Sequence, residues 1–481
     1  MPIPKICVLI PSHPHVRNAT HNKRLNISKY FGLKVVLNEI DKHFDIKPDL
    51  VTYEDVHRYD IVLVSMLSVD DYYRVAFTFY HRLKGKKNGY WLGGGSAVQN
   101  LAPLSEIFDT VLIGRAEGVI VNILNAIISG HKFEHYSVVH FDQYNEDQTY
   151  RINYVKNLYP EQLGKEQETM SGCKYNCAYC RYRISSLPPK MRDTDRNTTM
   201  PGNEETFWEL EIPNSKPHTT SLDGFTEDIR KAVTKRILDN DIVEKLSQIA
   251  ENQKNINLKV YLICGYPYNP GFDFSALRNC LSRLNDKVSG CNITIKFHIT
   301  PFSAEPGTPM QWERVDVSTN YNMAMRKFKK TFGSVFVSDQ ISAYLLNSTM
   351  SHYSVLLRAI HHRAWLSDLP IIRAISSDPF YRSHNRTMTE KFHKLVTDFD
   401  VEPFVKEYPI GTRLSHSNIS SWRRQISIER QGAKVRERLK QCGSNLRPGD
   451  LWIDLDPDPV FLQKYPSQVW FLLGSGVPGV I

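Results

Sequence analysis

From the start to about residue 140 the chain alternates short apolar runs with segments of crossover length, and this alternation restricts its fold more than any other feature. The runs are Ile6 to Ile10, Lys34 to Val36, Ile61 to Met66, Tyr90 to Leu92 and Thr110 to Ile113. Strands separated by helical patterns of that length imply a parallel, doubly wound sheet. Glycines stand where strands end, in Gly93-Gly94-Gly95-Ser96 and in Gly114-Arg115-Ala116-Glu117-Gly118. Backbone must turn sharply or approach a ligand at such points, and either need selects glycine.

The 481 residues at about 150 per domain give a prior of about three domains. After about residue 165, strand-like runs at Thr206 to Ile212, Leu258 to Cys264 and Ile293 to Ile299 are separated by helical spacing, as in Thr226 to Asn252. Repeated strand and helix units read as a partial (β/α) barrel, with ligands at the C-terminal strand ends. Beyond about residue 335 the pattern turns mostly helical, as in Tyr344 to Trp365 and Met388 to Phe399. Of the eight cysteines, five are scattered singly without a repeated framework, which points to a reducing compartment. The N-terminus has too short an apolar run for a signal peptide. No apolar stretch approaches the roughly 20 residues that span a bilayer. A cytoplasmic protein with no membrane association is expected.

The remaining three cysteines, Cys173, Cys177 and Cys180, lie in the run Ser171-Gly-Cys-Lys-Tyr-Asn-Cys-Ala-Tyr-Cys-Arg181. Their spacing wraps three thiolates around one small loop, which suits an iron-sulfur cube with one iron left open. Tetrahedral zinc wants a fourth ligand, and no cysteine or histidine lies within the next thirty residues. A zinc knuckle and a chance cluster of buried cysteines are the competing readings. The spacing, with aromatic Tyr179 before the last cysteine, resembles the signature of radical S-adenosylmethionine (radical SAM) enzymes. The resemblance implies a 4Fe-4S cluster whose open iron binds the amino and carboxylate groups of SAM. Reductive cleavage of the sulfonium then gives a 5'-deoxyadenosyl radical that takes hydrogen from the substrate.

Other segments fit the same resemblance. Gly265-Tyr266-Pro267 looks like the Gly-x-Pro that follows a core strand, with glycine for close backbone approach and proline to fix the turn. Leu222 to Arg230 resembles the strand-to-helix segment that seats SAM. There Asp223 would meet ribose hydroxyls and Arg230 the SAM carboxylate; a helix-start charge or a surface group is the alternative for each. Glu209 or Glu211 would accept a hydrogen bond from the SAM amino group, although the usual Gly-Gly-Glu is missing and a strand with outward glutamates explains them equally. The segment Thr300 to Trp312 resembles a loop after the last core strand, closing the barrel mouth with Phe302 and Trp312. Leu414 to Ile419, before Trp422, resembles the tail of the same branch.

The two glycine segments resemble the later part of the cobalamin-binding domain that precedes the radical SAM core in one branch, which makes Gly94 and Gly114 candidate cofactor contacts. The Asp-x-His-x-x-Gly loop of cobalt-ligating members is absent; His13, His15 and His21 stand in its general place. Cobalamin binding and retention of the fold alone both stay open. The resemblance thus divides the chain into a Rossmann-like cobalamin-binding-type domain at 1–145, a radical SAM barrel at 160–335 and a mostly helical domain at 336–481. It also implies a reductant partner such as flavodoxin or ferredoxin.

The net charge is +9, and between Thr412 and Arg447 the basic residues Arg413, Arg423, Arg424, Arg430, Lys434, Arg436, Arg438, Lys440 and Arg447 face only Glu429 and Glu437. Such a helix suits a phosphate backbone, making a nucleobase or its appendage a natural target; a solvated basic helix is the plain alternative. With cobalamin the expected outcome is methylation of an unactivated carbon. Without it, the expected outcome is radical rearrangement with isomerisation or carbon-carbon bond formation. Methylthiolation calls for three further N-terminal cysteines, and only Cys7 is there. A basic nucleic-acid-binding protein with a structural metal site is the non-enzymatic alternative.

Overall fold

The computed structural model describes residues 4–11, 31–51, 53–153, short pieces between 162 and 191 that include 173 and 175–181, then 206–209, 218–268, 274–284, 287–288, 290–315, 317, 340–346, 351–383, 385–419 and 422–444. In the N-terminal sheet, β1 (Ile6–Leu9), β2 (Asp49–Val51), β3 (Ile61–Ser65), β4 (Tyr90–Gly94), β5 (Thr110–Leu112) and β6 (Val138–His140) run in the order β2-β1-β3-β4-β5-β6. Pairings from β2 through β5 are parallel and only β6 is antiparallel. Side chains alternate between two covered faces. Ile6, Val8, Ile61 and Leu63 pack with α1 (Phe31–Phe44) and α3 (Ile120–Ile128). Cys7, Leu9, Val62 and Val64 pack with Tyr72, Tyr73 and Val75 of α2 (Val69–Phe77). A sheet buried on both faces needs nearly continuous apolar strands, and those runs are what the sequence displays. Lys34 to Val36 differs: it lies in α1, because its apolar residues continue at helical spacing into Leu37 and Ile40.

A second sheet, all parallel, orders β7 (His218–Ser221), β8 (Asn255–Cys264), β9 (Asn292–Pro301) and β10 (Ile341–Leu346) in sequence. Along β8, Ile256, Leu258, Val260, Leu262 and Cys264 are buried. The alternate residues Lys259, Tyr261 and Ile263 are half-buried, so the sheet has one apolar and one mixed face. The apolar face is covered by α5 (Asp239–Asn252), through Ile242 and Leu246, and by α6 (Phe274–Ser282), through Leu277 and Leu281. Between β7 and α5 lies the short α4 (Glu227–Ala232), whose start is fixed by Thr226 accepting from Ile229 N.

Two expectations change here. Thr206–Glu209 is a helical turn, with Phe207 and Trp208 packed over Thr220, Leu258 and Val260. Its two aromatics find more apolar surface lying on the sheet than strand alternation would give them. Tyr344 falls in strand β10, and helix begins only at α7 (His352–Arg363), where Ser351 caps Ser354 N. Helices α8 (Leu369–Ser377), α9 (Met388–Asp398) and α10 (Trp422–Ser444) complete the C-terminal part. Among the described residues no helix is long and apolar enough to cross a membrane.

Candidate active site

The cysteine loop lies against the C-terminal ends of the second sheet. Ala178 N donates to Val233 O at 2.9 Å, Met310 N donates to Ala178 O at 3.3 Å, and Thr234 Oγ1 donates to Asn176 O. These contacts tie the loop to the segment after β7 and to the segment after β9. Cys177 is buried, and Cys173 and Cys180 are half-buried. Burial pushes the Cys177 thiol up, Lys235 opposing and Asp223 and Cys180 adding to the rise. Among the described residues no group of three or more His, Cys, Asp or Glu side chains is gathered as a metal-ligand set. By its donor chemistry the loop still fits an iron-sulfur cluster: three thiols on one short segment, two of them reachable from outside.

Asp223 sits just beyond β7 with φ +56°, a left-handed conformation that is uncommon outside glycine and marks special positions. Its carboxylate is 3.1 Å from Lys235 Nζ, and Lys235 is fully buried. Tyr266 donates to the Asp223 carbonyl at 2.7 Å, and Lys235 lies 4.7 Å over the Tyr175 ring. Asp223 is therefore fixed beside the cysteine loop by both its side chain and its backbone. Gly265, at φ +71°, turns the chain out of β8, and Tyr266 and Pro267 after it are buried. Tyr179 meets Tyr266 at 6.0 Å between ring centroids, and Tyr266 meets Phe302 at 5.5 Å. Asp223, Tyr179, Tyr266 and Phe302 are thus brought together with Cys177, and Gly265 and Pro267 flank Tyr266 in the chain.

Arg230 is not. Its guanidinium is fully buried and donates to Ile237 O at 2.8 Å, to Gly224 O at 3.1 Å and to Asp239. With its fork occupied by its own chain it braces the turn into α5 and presents nothing to a ligand carboxylate. Glu209 ends the helical turn whose Phe207 and Trp208 pack on the apolar sheet face; Glu211 lies outside the described residues, as do His13, His15 and His21. Trp312 leaves the mouth as well. It is buried with Leu414 and Ile428 beneath α10, and its Nε1 donates to Thr412 O at 2.7 Å.

In the first sheet the two glycine segments differ. A Cβ on Gly114 would come within 2.6 Å of Asn153 O, so close packing within the chain explains that glycine. A Cβ on Gly94 would meet nothing within 4 Å. Gly94 ends β4, on the C-terminal side where ligands of open α/β sheets bind.

Sequence reasoning missed Lys235, and with it Glu305, Arg358, His361 and His362, which lie where the two sheets and α7 meet. Lone basic and histidine residues in helical segments carry no motif, so only the fold brings them together.

Fold and site define an α/β protein of two mainly parallel sheets, with a three-thiol loop over the strand ends of the second. No model of a known protein family matches the chain. It is 21% identical over 358 residues to the uncharacterized protein MJ0966 of Methanocaldococcus jannaschii, covering 60% of this chain and 77% of that one. Among its neighbours in solved structures are those of the cobalamin-dependent S-adenosylmethionine radical enzyme OxsB. With aqua-cobalamin bound, the TM-score is 0.40 at 10% identity, covering 98% of this chain and 84% of that one. With aqua-cobalamin and S-adenosylmethionine bound, the TM-score is 0.34 at 10% identity, covering 99% and 85%.

Proposed function

We propose that the chain is a radical SAM enzyme in which Cys173, Cys177 and Cys180 hold a 4Fe-4S cluster. The observation that carries this reading is the seating of the three-thiol loop on the C-terminal ends of parallel strands, beside Asp223, Gly265 and Tyr266. The cluster with bound SAM supplies one-electron cleavage of the sulfonium and hence abstraction of a substrate hydrogen atom. The chain's own residues position and shield. Asp223, pinned by Lys235 and Tyr266, would accept from ribose hydroxyls. Gly265 lets the backbone come close, and Tyr179, Tyr266 and Phe302 keep water from the reacting atoms.

The first sheet supports a cobalamin-binding-type domain, with the open approach at Gly94 as the observation on its side. With cobalamin the reaction is methyl transfer to an unactivated carbon; without it, the reaction is rearrangement. A flavodoxin or ferredoxin would supply the electron. The substrate reading that includes nucleic acid draws on α10, where Arg430, Lys434 and Arg438 are exposed at intervals of four residues along one face. Arg436, by contrast, turns inward to Glu313 and Glu407.

Anaerobic reconstitution, with iron, zinc and cobalt analysis and an assay for 5'-deoxyadenosine after SAM and dithionite are added, tests the proposal. Iron with 5'-deoxyadenosine formed, both lost in Cys177→Ala, is the expected result, and cobalt then selects methyl transfer. Zinc without SAM cleavage, or full cleavage by Cys177→Ala, would overturn it.

A further inference from the structure

A second polar site lies where the first sheet, the cysteine loop and α7 meet. Arg358, His361 and His362 occupy positions i, i+3 and i+4 of α7 and share one face. Facing them is Glu305, just beyond β9, with Oε1 3.9 Å from Arg358 Nη1 and Oε2 3.7 Å from His362 Nε2. Both distances exceed a hydrogen bond. Burial raises the Glu305 pKa, while Arg358, Arg181, Ser303 and Gln99 nearby oppose the rise. Arg181 follows Cys180 directly and donates to Val98 O at 3.1 Å, so the site reaches from the cysteine loop to the end of the first sheet. Glu305 and Arg358 keep 20% and 27% of their side chains exposed, whereas His362 is 1% exposed. The site therefore opens outward and closes on the histidines.

Its donors outnumber its acceptors. Among the described residues Nδ1 and Nε2 of both His361 and His362, Nε2 of Gln311, Oγ of Ser303 and Oε1 of Gln99 have no hydrogen-bond partner. The acceptors left over are thus one amide oxygen, a hydroxyl and one nitrogen of each neutral ring. Gln311 Oε1 already accepts from Gly307 N at 2.8 Å and meets His416 Nε2 at 2.9 Å. A neutral imidazole brings one donor and one acceptor, an amide nitrogen two donors and a guanidinium five. The Glu305 carboxyl meets neither Arg358 nor His362 at hydrogen-bond distance, so the guanidinium and ring donors stay unmatched there. Leaving buried donors unmet is costly, and a group with several acceptor oxygens and negative charge matches both the surplus and the excess of arginine.

We propose that Arg358, His362 and Glu305 form a binding site for the oxyanion, phosphate or carboxylate, of a small-molecule ligand held between the first sheet and the cysteine loop. The site does not depend on the iron-sulfur reading. Its test uses the full chain without SAM: thermal shift with inorganic phosphate and, separately, acetate, each against chloride at matched ionic strength. A ligand that binds only the folded state raises the melting temperature in proportion to ln(1 + [L]/Kd). A saturable rise with phosphate or acetate is expected in the wild type, the stronger response identifying the oxyanion. Arg358→Gln and His362→Gln should weaken apparent affinity at least tenfold. Arg358→Lys should retain part of it, and Lys42→Gln, on α1, all of it. No rise above chloride in the wild type, or an undiminished rise in both Arg358→Gln and His362→Gln with native near-ultraviolet circular dichroism, would overturn the proposal.

Discussion

Beside the cysteine loop, Asp223 combines a left-handed backbone with a carboxylate held by the fully buried Lys235. Removing one partner of a buried pair strands the other charge, at a cost of roughly 3–5 kcal/mol. Lys235→Met should lower stability by about that amount in urea titration. Asp223→Asn combined with Lys235→Met should cost less than the sum of the two, because residues in direct contact are coupled; strict additivity would remove the pair from the account. His361 makes a separate prediction. Burial, with Arg181 and Arg358 nearby, lowers its pKa from 6.5 to about 3. Below pH 6.5 the unfolded chain binds a proton that the native ring excludes, so stability falls as pH drops from 6.5 towards 3. The slope per histidine is about 1.4 kcal/mol for each pH unit. Denaturation midpoints between pH 6.5 and 4 should fall less steeply in His361→Leu than in the wild type. An unchanged slope would mean that the ring is not held neutral.

Among the elements, α10 shows most clearly why a residue that weakens a helix is kept. Gly432 lies in its middle, where glycine costs about 1 kcal/mol relative to alanine. A Cβ there would stand 2.6 Å from Pro309 O and 3.4 Å from the Trp312 ring. The helix crosses the loop after β9 at that point, and glycine is what permits the approach. Gly432→Ala should therefore destabilise by roughly 1–3 kcal/mol despite the better helix former, read as a fall in urea midpoint; a rise would place α10 farther from the loop. The same element shows how far the sequence carries. Strands β1, β3, β4, β5, β8 and β9 were legible because a sheet covered on both faces, or apolar on one, writes its burial into local periodicity. The cysteine spacing and Gly265-Tyr266-Pro267 were legible because they are contiguous. Lys34 to Val36 and, within Thr206 to Ile212, the described Thr206 to Glu209 misled because an apolar run of that length does not distinguish strand from helix. Arg230 misled for a different reason: whether a guanidinium faces a ligand or a carbonyl such as Ile237 O is decided by a turn that no periodicity records.

Over the whole molecule one apolar core runs from Cys7 in β1 through Cys177 and Phe302 to Leu395 and Leu439. Neither sheet buries its surface alone: the cysteine loop, the strand ends of the second sheet and the C-terminal helices share that core. Asn100 joins the parts by polar contacts. It is fully buried, and its Nδ2 lies 2.9 Å from His361 O, 2.8 Å from Ala364 O and 3.1 Å from Ser415 Oγ, linking the first sheet to the end of α7 and the segment before α10. Truncation leaves buried carbonyls without their donor, at roughly 1–3 kcal/mol. If the shared core makes these parts unfold together, Asn100→Ala should shift one common transition to lower denaturant, whether followed by tryptophan fluorescence or by far-ultraviolet circular dichroism. Separation into two transitions, with only the C-terminal helices lost early, would show instead that the sheets carry their own stability. The polar site at Arg358 and His362 would then open without unfolding the cysteine loop.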